Sequence, residues 1–253
     1  MLGPMIVASL LLGGLVAWLG WPAPWAAWVI CAGLGLLVLW GLWFFRDPVR
    51  RVPEGATAES VISPADGKVI KVDLAPLPVE LAEAVRGLGH DPLVPLVRVS
   101  IFLNLFDVHV NRVVVGGRIV KLAYTPGAFV NASFDKASTH NERNAALMVD
   151  GAGRVLAFSQ IAGLVARRIV CHLREGQSVA AGERFGLIRF GSRAEVWMPA
   201  GTRVDVQVGQ RVTAGVSVLA TMAQAASGVG VASSVGVASG VGAASVVGAD
   251  GVR

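Results

Sequence analysis

Residues 183–199 read ERFGLIRFGSRAEVWMP, two short apolar segments joined by the pair Gly191-Ser192. The flanking segments at 184–189 and 194–198 have the length and the aliphatic content of β-strands. Between strands, a Gly-Ser pair is ordinarily a turn or a kink, because both residue types are common in turns. The same pair permits one unusual reaction, since the Ser192 hydroxyl could attack the unhindered carbonyl of Gly191.

Similar strand-like segments recur between turn residues and predict a mainly β fold, a β-rich sandwich or barrel with one or two helices rather than a parallel α/β sheet. Residues 77–88 are the best helix candidate. Residues 63–69 and 175–183 resemble the strand–turn–strand pieces of lipoyl-like barrels. The remaining predicted strands are at 67–72, 96–103, 113–123, 145–149, 155–161, 168–172, 202–206 and 216–220.

The N-terminal segment, residues 1–45, contains no charged residue and predicts a membrane anchor. Its apolar runs are 6–19 and 25–45, and the second is long enough for a helix across a hydrocarbon core about 30 Å thick. We expect a transmembrane helical hairpin in preference to a single span. Arginines follow immediately, at 46, 50 and 51, so the rest of the chain is expected on the cytoplasmic face of the cell (inner) membrane.

Composition divides the rest of the chain into a domain at 46–222 and a low-complexity flexible tail at 223–253. The net charge of +5 lies beyond the anchor, and a basic domain at a membrane surface should attract anionic lipids. Basic residues are not interleaved with aromatic ones, which argues against nucleic-acid binding. Cys31 and Cys171 suggest neither a disulfide framework nor a zinc site, and no metal is expected.

Four motifs occur in a consistent order along the 46–222 domain. They are SPADG at 63–67, NLFDVHVNR at 104–112, NERN at 141–144 and FGLIRFGSR at 185–193. Each motif alone is weak, but the ordered set resembles the phosphatidylserine decarboxylase proenzyme family in its shorter bacterial and archaeal form. The apolar N-terminus fits an enzyme whose substrate is a membrane lipid.

The resemblance implies that the chain cuts itself between Gly191 and Ser192. The Ser192 hydroxyl attacks the Gly191 carbonyl, an ester forms, and elimination and hydrolysis leave a pyruvoyl group at the new N-terminus. The large and small pieces remain together as a heterodimer. The pyruvoyl group would form a Schiff base with phosphatidylserine and act as the electron sink for its conversion to phosphatidylethanolamine and carbon dioxide. Whether the heterodimer assembles into a homo-oligomer stays open.

The resemblance also assigns roles to four further residues. His109 is the candidate for proton handling, since imidazole exchanges protons near neutral pH. Asp107 lies two residues before it, so the two side chains are expected on the same face of a strand, and Asp107 is a candidate substrate-binding residue. Asp66 matches an aspartate that orients a histidine for self-cleavage in longer members; the alternative is an Asp-Gly turn residue. Longer members carry a second histidine where this chain has Arg112, which cannot act as a base at neutral pH. Either His109 serves both steps, or Arg112 holds a carboxylate or phosphate in the substrate site.

His90, His140 and His172 are expected to be structural or surface residues. Two other functions remain as rivals. One is a non-enzymatic, membrane-anchored adaptor with a lipoyl-like barrel, in which Gly191-Ser192 is only a kink. The other is a pyruvoyl-dependent decarboxylase for a soluble amino acid, which would need no anchor. Cleavage into two pieces separates the enzymes from the adaptor.

Overall fold

The structure, a computed structural model, describes residues 7, 11, 13–15, 24–127, 141–163, 169–188 and 192–224 of the chain. Within these ranges the protein is mainly β, as the sequence predicts. The helices are α1 (Pro24–Phe44), a 3-10 turn (Val79–Leu81) and α2 (Ala82–Gly87). The strands are β1 (Ser60–Ile62), β2 (Gly67–Ala75), β3 (Leu96–Leu103), β4 (Val110–Arg112), β5 (Gly117–Thr125), β6 (Arg143–Asp150), β7 (Val155–Ile161), β8 (Ile169–Cys171), β9 (Ser178–Val179), β10 (Arg184–Ile188), β11 (Ser192–Met198), β12 (Arg203–Val204), β13 (Arg211–Val212) and β14 (Val218–Thr221).

An eight-stranded sheet in the order β13-β2-β3-β11-β7-β6-β5-β9 forms the body of the fold. Its paired strands are antiparallel. Two three-stranded sheets, β1-β14-β12 and β4-β10-β8, accompany it. Strand β11 lies between β3 and β7, and all seven of its residues are buried. The strand that begins with Ser192 is therefore among the best-protected elements of the fold.

Both faces of the large sheet are covered, because the side chains of β11 alternate between two apolar clusters. Ala194, Val196 and Met198 belong to the larger cluster, which also includes residues of the two small sheets. Trp197 points to the opposite face and packs with residues of the short helical segment, including Leu81 and Val85. Burial on both faces explains why this strand reads as a continuous apolar run.

The strand predictions are confirmed where apolar residues and flanking turns agree. The segments at 96–103 and 155–161 coincide with β3 and β7. The predicted helix at 77–88 is a 3-10 turn followed by the six-residue α2. The lipoyl-like piece at 63–69 links β1 and β2, which belong to different sheets and are not paired with each other.

The N-terminal segment contributes helix α1, which begins at a proline, a residue favoured in the first helical turn. The described residues include no helix that is both long enough and apolar enough to cross a membrane. The predicted transmembrane hairpin thus has no support from the described structure. The predicted tail falls outside the described residues from position 225 onward, and the domain boundaries stay predictions.

Candidate active site

Ser192 is the first residue of β11 and lies opposite Leu103, the last residue of β3. Its side chain is fully buried, and within the described residues its Oγ has no hydrogen-bond partner. A buried hydroxyl without a partner costs about 1–3 kcal/mol, so such groups are uncommon outside functional sites. Gly191, the other half of the predicted cleavage site, lies outside the described residues.

His109 is the second buried polar residue of the site and is only 3% exposed. Its Nδ1 donates a hydrogen bond to the backbone carbonyl of Asp107 at 2.8 Å. Its Nε2 has no hydrogen-bond partner among the described residues. Because a carbonyl can only accept, this hydrogen bond places the proton on Nδ1 and leaves a lone pair on Nε2.

Burial lowers the pKa of His109 from 6.5 to about 4, because the charged imidazolium loses its hydration. The hydrogen bond to Asp107 and the carboxylate charges of Asp107 and Asp66 act in the opposite direction and are outweighed. At neutral pH the imidazole is therefore uncharged, and its Nε2 is able to accept a proton.

The backbone ties His109 and Ser192 to the same end of the sheets. On one side, Leu103 pairs with Ser192, and only five residues separate Leu103 from His109. On the other side, Ile188 lies four residues before Ser192, and its amide donates to the carbonyl of His109 at 3.2 Å. The nucleophile and the base predicted from the motifs thus lie in one region of the molecule.

Residues 104–107 form a hydrogen-bonded turn between Leu103, the partner of Ser192, and His109. The amide of Phe106 donates to Asn104 Oδ1 at 2.7 Å, and the amide of Asn104 donates to Asp107 Oδ2 at 2.8 Å. The other oxygen of Asp107 pairs with Arg211. We expected Asp107 and His109 to share one face of a strand; that reasoning is wrong, because β4 begins only at Val110. The contact that Asp107 makes with His109 uses its carbonyl group.

Asp66 does not hydrogen-bond to His109. Its carboxylate forms a two-point ion pair with Arg50, including a 2.7 Å contact from Nη2 to Oδ2, and accepts the amide of Ala214 at 2.8 Å. It acts on His109 only through its charge, which raises the pKa of the imidazole. A role in self-cleavage stays a prediction, whereas the ion pair joins the segment after α1 to the domain.

Arg112 also contacts the segment after α1. It donates to the carbonyl oxygens of Gly182 and Pro48 at 3.1 Å each and lies 3.3 Å from the Asp47 carboxylate. The largest effect on its pKa is burial, which lowers it. The carboxylate that Arg112 contacts is therefore one of this chain's own, that of Asp47. Substrate binding by Arg112 stays a prediction.

Phe44, the last residue of α1, completes the site. Its ring is 1% exposed and lies against the imidazole of His109, with 4.3 Å between the ring centroids. The apolar helix and the predicted base are therefore in direct contact. No feature of the sequence indicates this contact, because the two residues are far apart along the chain.

Comparison with known proteins relates this site to a family. Residues 37–220 match the family model for phosphatidylserine decarboxylase. The chain is 53% identical over 186 residues to a phosphatidylserine decarboxylase proenzyme of Azorhizobium caulinodans, covering 73% of this chain and 74% of that protein. Proteins of the same name match from Rhodospirillum rubrum, at 49% identity over 79% of this chain and 81% of the relative, and from Cereibacter sphaeroides, at 50% over 74% and 76%.

The chain belongs to the phosphatidylserine decarboxylase family. The resemblance drawn from the four ordered motifs is confirmed, and the match spans nearly all of the 46–222 domain. The adaptor alternative is not favoured, because the family consists of enzymes whose proenzyme name implies cleavage.

A buried amide cluster next to the decarboxylase site was not anticipated. Gln160 lies opposite Ala194 on β7, and its Nε2 donates to Asn111 Oδ1 at 3.0 Å. The Asn111 amide in turn lies 3.4 Å from the carbonyl of Pro64. Asn111 was within a quoted motif, whereas nothing in the sequence around Gln160 distinguishes it from any polar strand residue. The cluster joins β7, β4 and the segment before Asp66.

The other histidines lie apart from the decarboxylase site. His90 and His172 are exposed, and His140 lies outside the described residues. Among the described residues no group of three or more His, Cys, Asp or Glu side chains could hold a metal ion.

Proposed function

We propose that this protein is a self-processing decarboxylase that converts phosphatidylserine to phosphatidylethanolamine and carbon dioxide, using a pyruvoyl group made from Ser192. One observation carries the proposal. Two buried polar atoms without hydrogen-bond partners among the described residues, Ser192 Oγ and His109 Nε2, belong to backbone segments that are tied together. The family membership of the chain supplies the reaction class.

In the proposed self-cleavage, His109 Nε2 accepts the proton of the Ser192 hydroxyl as Oγ bonds to the Gly191 carbonyl carbon. The amide C–N bond then breaks, an ester forms, and the imidazolium returns its proton to the departing nitrogen. The low pKa of His109 weakens its Nε2 as a base but has two consequences that suit the reaction. It keeps the imidazole neutral before the attack and makes the imidazolium a strong proton donor afterwards.

Elimination completes the cleavage: the Cα proton of residue 192 is removed, and the carboxylate of Gly191 leaves from Cβ. Hydrolysis of the resulting dehydroalanine releases ammonia and leaves the pyruvoyl group. That group supplies an electron-accepting carbonyl for the loss of carbon dioxide from an amino acid. In the same site, the hydrogen bond from His109 Nδ1 to the Asp107 carbonyl keeps Nε2 available as a proton acceptor.

We further propose that the protein works at the cytoplasmic face of the cell membrane, held there by its apolar N-terminal residues. Helix α1 contains no charged residue and exposes large apolar side chains, among them Trp25, Trp28 and Leu36. This location gives the enzyme direct access to a lipid substrate.

The test of self-processing is the mass of the purified chain. The proposal requires two pieces, residues 1–191 and 192–253, with the smaller one blocked at its N-terminus. Ser192→Ala should remain intact and inactive. Ser159→Ala is the matched control, because Ser159 is also buried and its Oγ also lacks a hydrogen-bond partner among the described residues. Normal cleavage of the Ser192→Ala variant would refute the proposed nucleophile.

Substrate choice needs a separate measurement. Carbon dioxide release should be seen with phosphatidylserine in bilayers or detergent micelles and should be negligible with free serine. Equal release from both substrates would instead favour the decarboxylase for a soluble amino acid. Cleavage without decarboxylation of either substrate would leave the processing assignment standing and overturn the substrate.

A further inference from the structure

The turn at 104–107 exposes two large apolar side chains beside the active site. Leu105 is 44% exposed and Phe106 is 65% exposed. Asn104 and Asp107 hold this turn through the hydrogen bonds described above, so the two apolar side chains project from a hydrogen-bonded support. Scattered exposed apolar residues are normal, and exposure alone therefore carries no conclusion.

Three contacts connect this tip to the apolar helix. The rings of Phe106 and Trp43 meet edge to face, with centroids 6.1 Å apart. Arg46 donates to the carbonyl of Phe106 at 3.0 Å and also lies over the Trp43 ring, 3.7 Å from its centroid. Trp43 itself is 41% exposed. The tip and the end of α1 thus form one continuous apolar surface, which we name the Trp43–Phe106 patch (Trp43, Leu105 and Phe106).

Cationic side chains lie on two sides of this patch. Arg211 pairs with Asp107 in the turn, yet its side chain is 62% exposed. Arg211 lies directly opposite Lys68, which is also exposed, and Arg46 borders the patch on the helix side. An apolar tip flanked by cations matches the acyl chains and the anionic head groups of a bilayer, whereas a protein partner would not require both features together.

We propose that the Trp43–Phe106 patch inserts into the surface of an anionic bilayer and thereby sets the active site at head-group depth. The turn connects Leu103, the backbone partner of Ser192, to His109. Insertion of its tip would place the reacting residues against the layer that contains the head group of phosphatidylserine. This inference rests on the proposed function for its purpose, but bilayer contact can be measured without any decarboxylation.

Depth-dependent fluorescence quenching tests the insertion directly. The full chain, with Cys31→Ala and Cys171→Ala, receives one cysteine at position 105, 106 or 93, labelled with an environment-sensitive fluorophore. Leu93 is the matched control: it is 75% exposed, and its amide donates to Asp91 Oδ1 at 2.9 Å, in the same turn geometry as Phe106 and Asn104. The labelled proteins are reconstituted into bilayers of phosphatidylcholine and phosphatidylglycerol that contain spin labels near the head of the acyl chain.

We expect strong quenching at positions 105 and 106 and little at position 93. Quenching at 105 and 106 no greater than at 93 would overturn the proposal. Because neither lipid is the substrate, this result does not depend on the proposed function.

The kinetic consequence provides a second test. In Leu105→Ser/Phe106→Ser, kcat/KM for phosphatidylserine in bilayers should fall about tenfold or more relative to kcat/KM for a monomeric short-chain phosphatidylserine, since the lost apolar burial weakens only bilayer contact. Leu93→Ser should leave this ratio unchanged. An equal loss with both substrates would assign the tip a structural role and refute insertion. A wild-type protein inactive on both substrates would refute the proposed function and leave the quenching result intact.

Discussion

The contact between Phe44 and His109 predicts how the base responds when the apolar helix is altered. Phe44→Ala removes the ring that lies 4.3 Å from the imidazole and admits water to a residue that is now 3% exposed. Burial is the main cause of the low pKa of His109, so the substitution should raise that pKa from about 4 toward its ordinary value of 6.5. The full difference corresponds to about 3 kcal/mol of lost hydration of the imidazolium.

The sign of the pH dependence follows from the same values. A histidine whose pKa is lower in the folded state takes up protons more readily when the chain is unfolded. The free energy of unfolding of the wild type should therefore fall by up to about 3 kcal/mol as the pH drops from 6.5 to about 4. In Phe44→Ala this pH-dependent loss should shrink, although the variant is less stable at every pH because a buried ring has been removed.

Two assays measure the effect. Nuclear magnetic resonance of labelled histidine gives the pKa of His109 in the Ser192→Ala background, where no cleavage interferes. The rate of self-cleavage against pH gives its consequence: the wild type should show no loss between about pH 5 and pH 8, whereas Phe44→Ala should slow below about pH 6 as the imidazole becomes protonated. Trp40→Ala is the control, because the ring centroids of Trp40 and Phe44 are 5.4 Å apart but Trp40 lies one helical turn farther from the site.

The reasoning fails if His109 of the wild type titrates near 6.5, or if Phe44→Ala leaves its pKa at about 4. A cleavage rate with the same pH profile in both proteins would also show that His109 is not the base.

Three further predictions concern the support of the site. Arg50→Met should lower the melting temperature and slow self-cleavage, because it leaves the part-buried Asp66 carboxylate without its cation, and breaking a buried pair costs about 3–5 kcal/mol. An unchanged melting temperature would contradict this. Gly186→Ala should prevent stable folding, because a Cβ there would overlap a backbone carbonyl of a neighbouring strand. In the control Gly151→Ala the added Cβ meets open space and the protein should fold normally, so equal soluble yield and melting temperature of the two variants would refute the clash. Gln160→Met should lower the free energy of unfolding in urea by about 1–3 kcal/mol, since it leaves amide partners unpaired, and a neutral result would show that the amide cluster is dispensable.

Local sequence was sufficient for much of the β framework. The segments at 96–103 and 155–161 were predicted with the bounds of β3 and β7, because turn residues delimit them and apolar side chains fill them. The short strand β13 was missed, since its two residues carry no periodic pattern. Its pairing is selected by the neighbouring strand and not by its own composition.

The sequence by itself determined the reacting pair Gly191-Ser192, the candidate base His109 and the membership in a family of decarboxylases, because ordered motifs and a local chemical requirement are both readable along one chain. Only the tertiary structure decided what surrounds that base. Phe44 packs against the His109 ring, and Arg50 forms an ion pair with the Asp66 carboxylate. The hydrogen-bond partner of His109 is the backbone carbonyl of Asp107 and not a carboxylate. These contacts join residues from different segments, so they depend on packing and burial, which set the pKa of the base and which no single segment of sequence specifies.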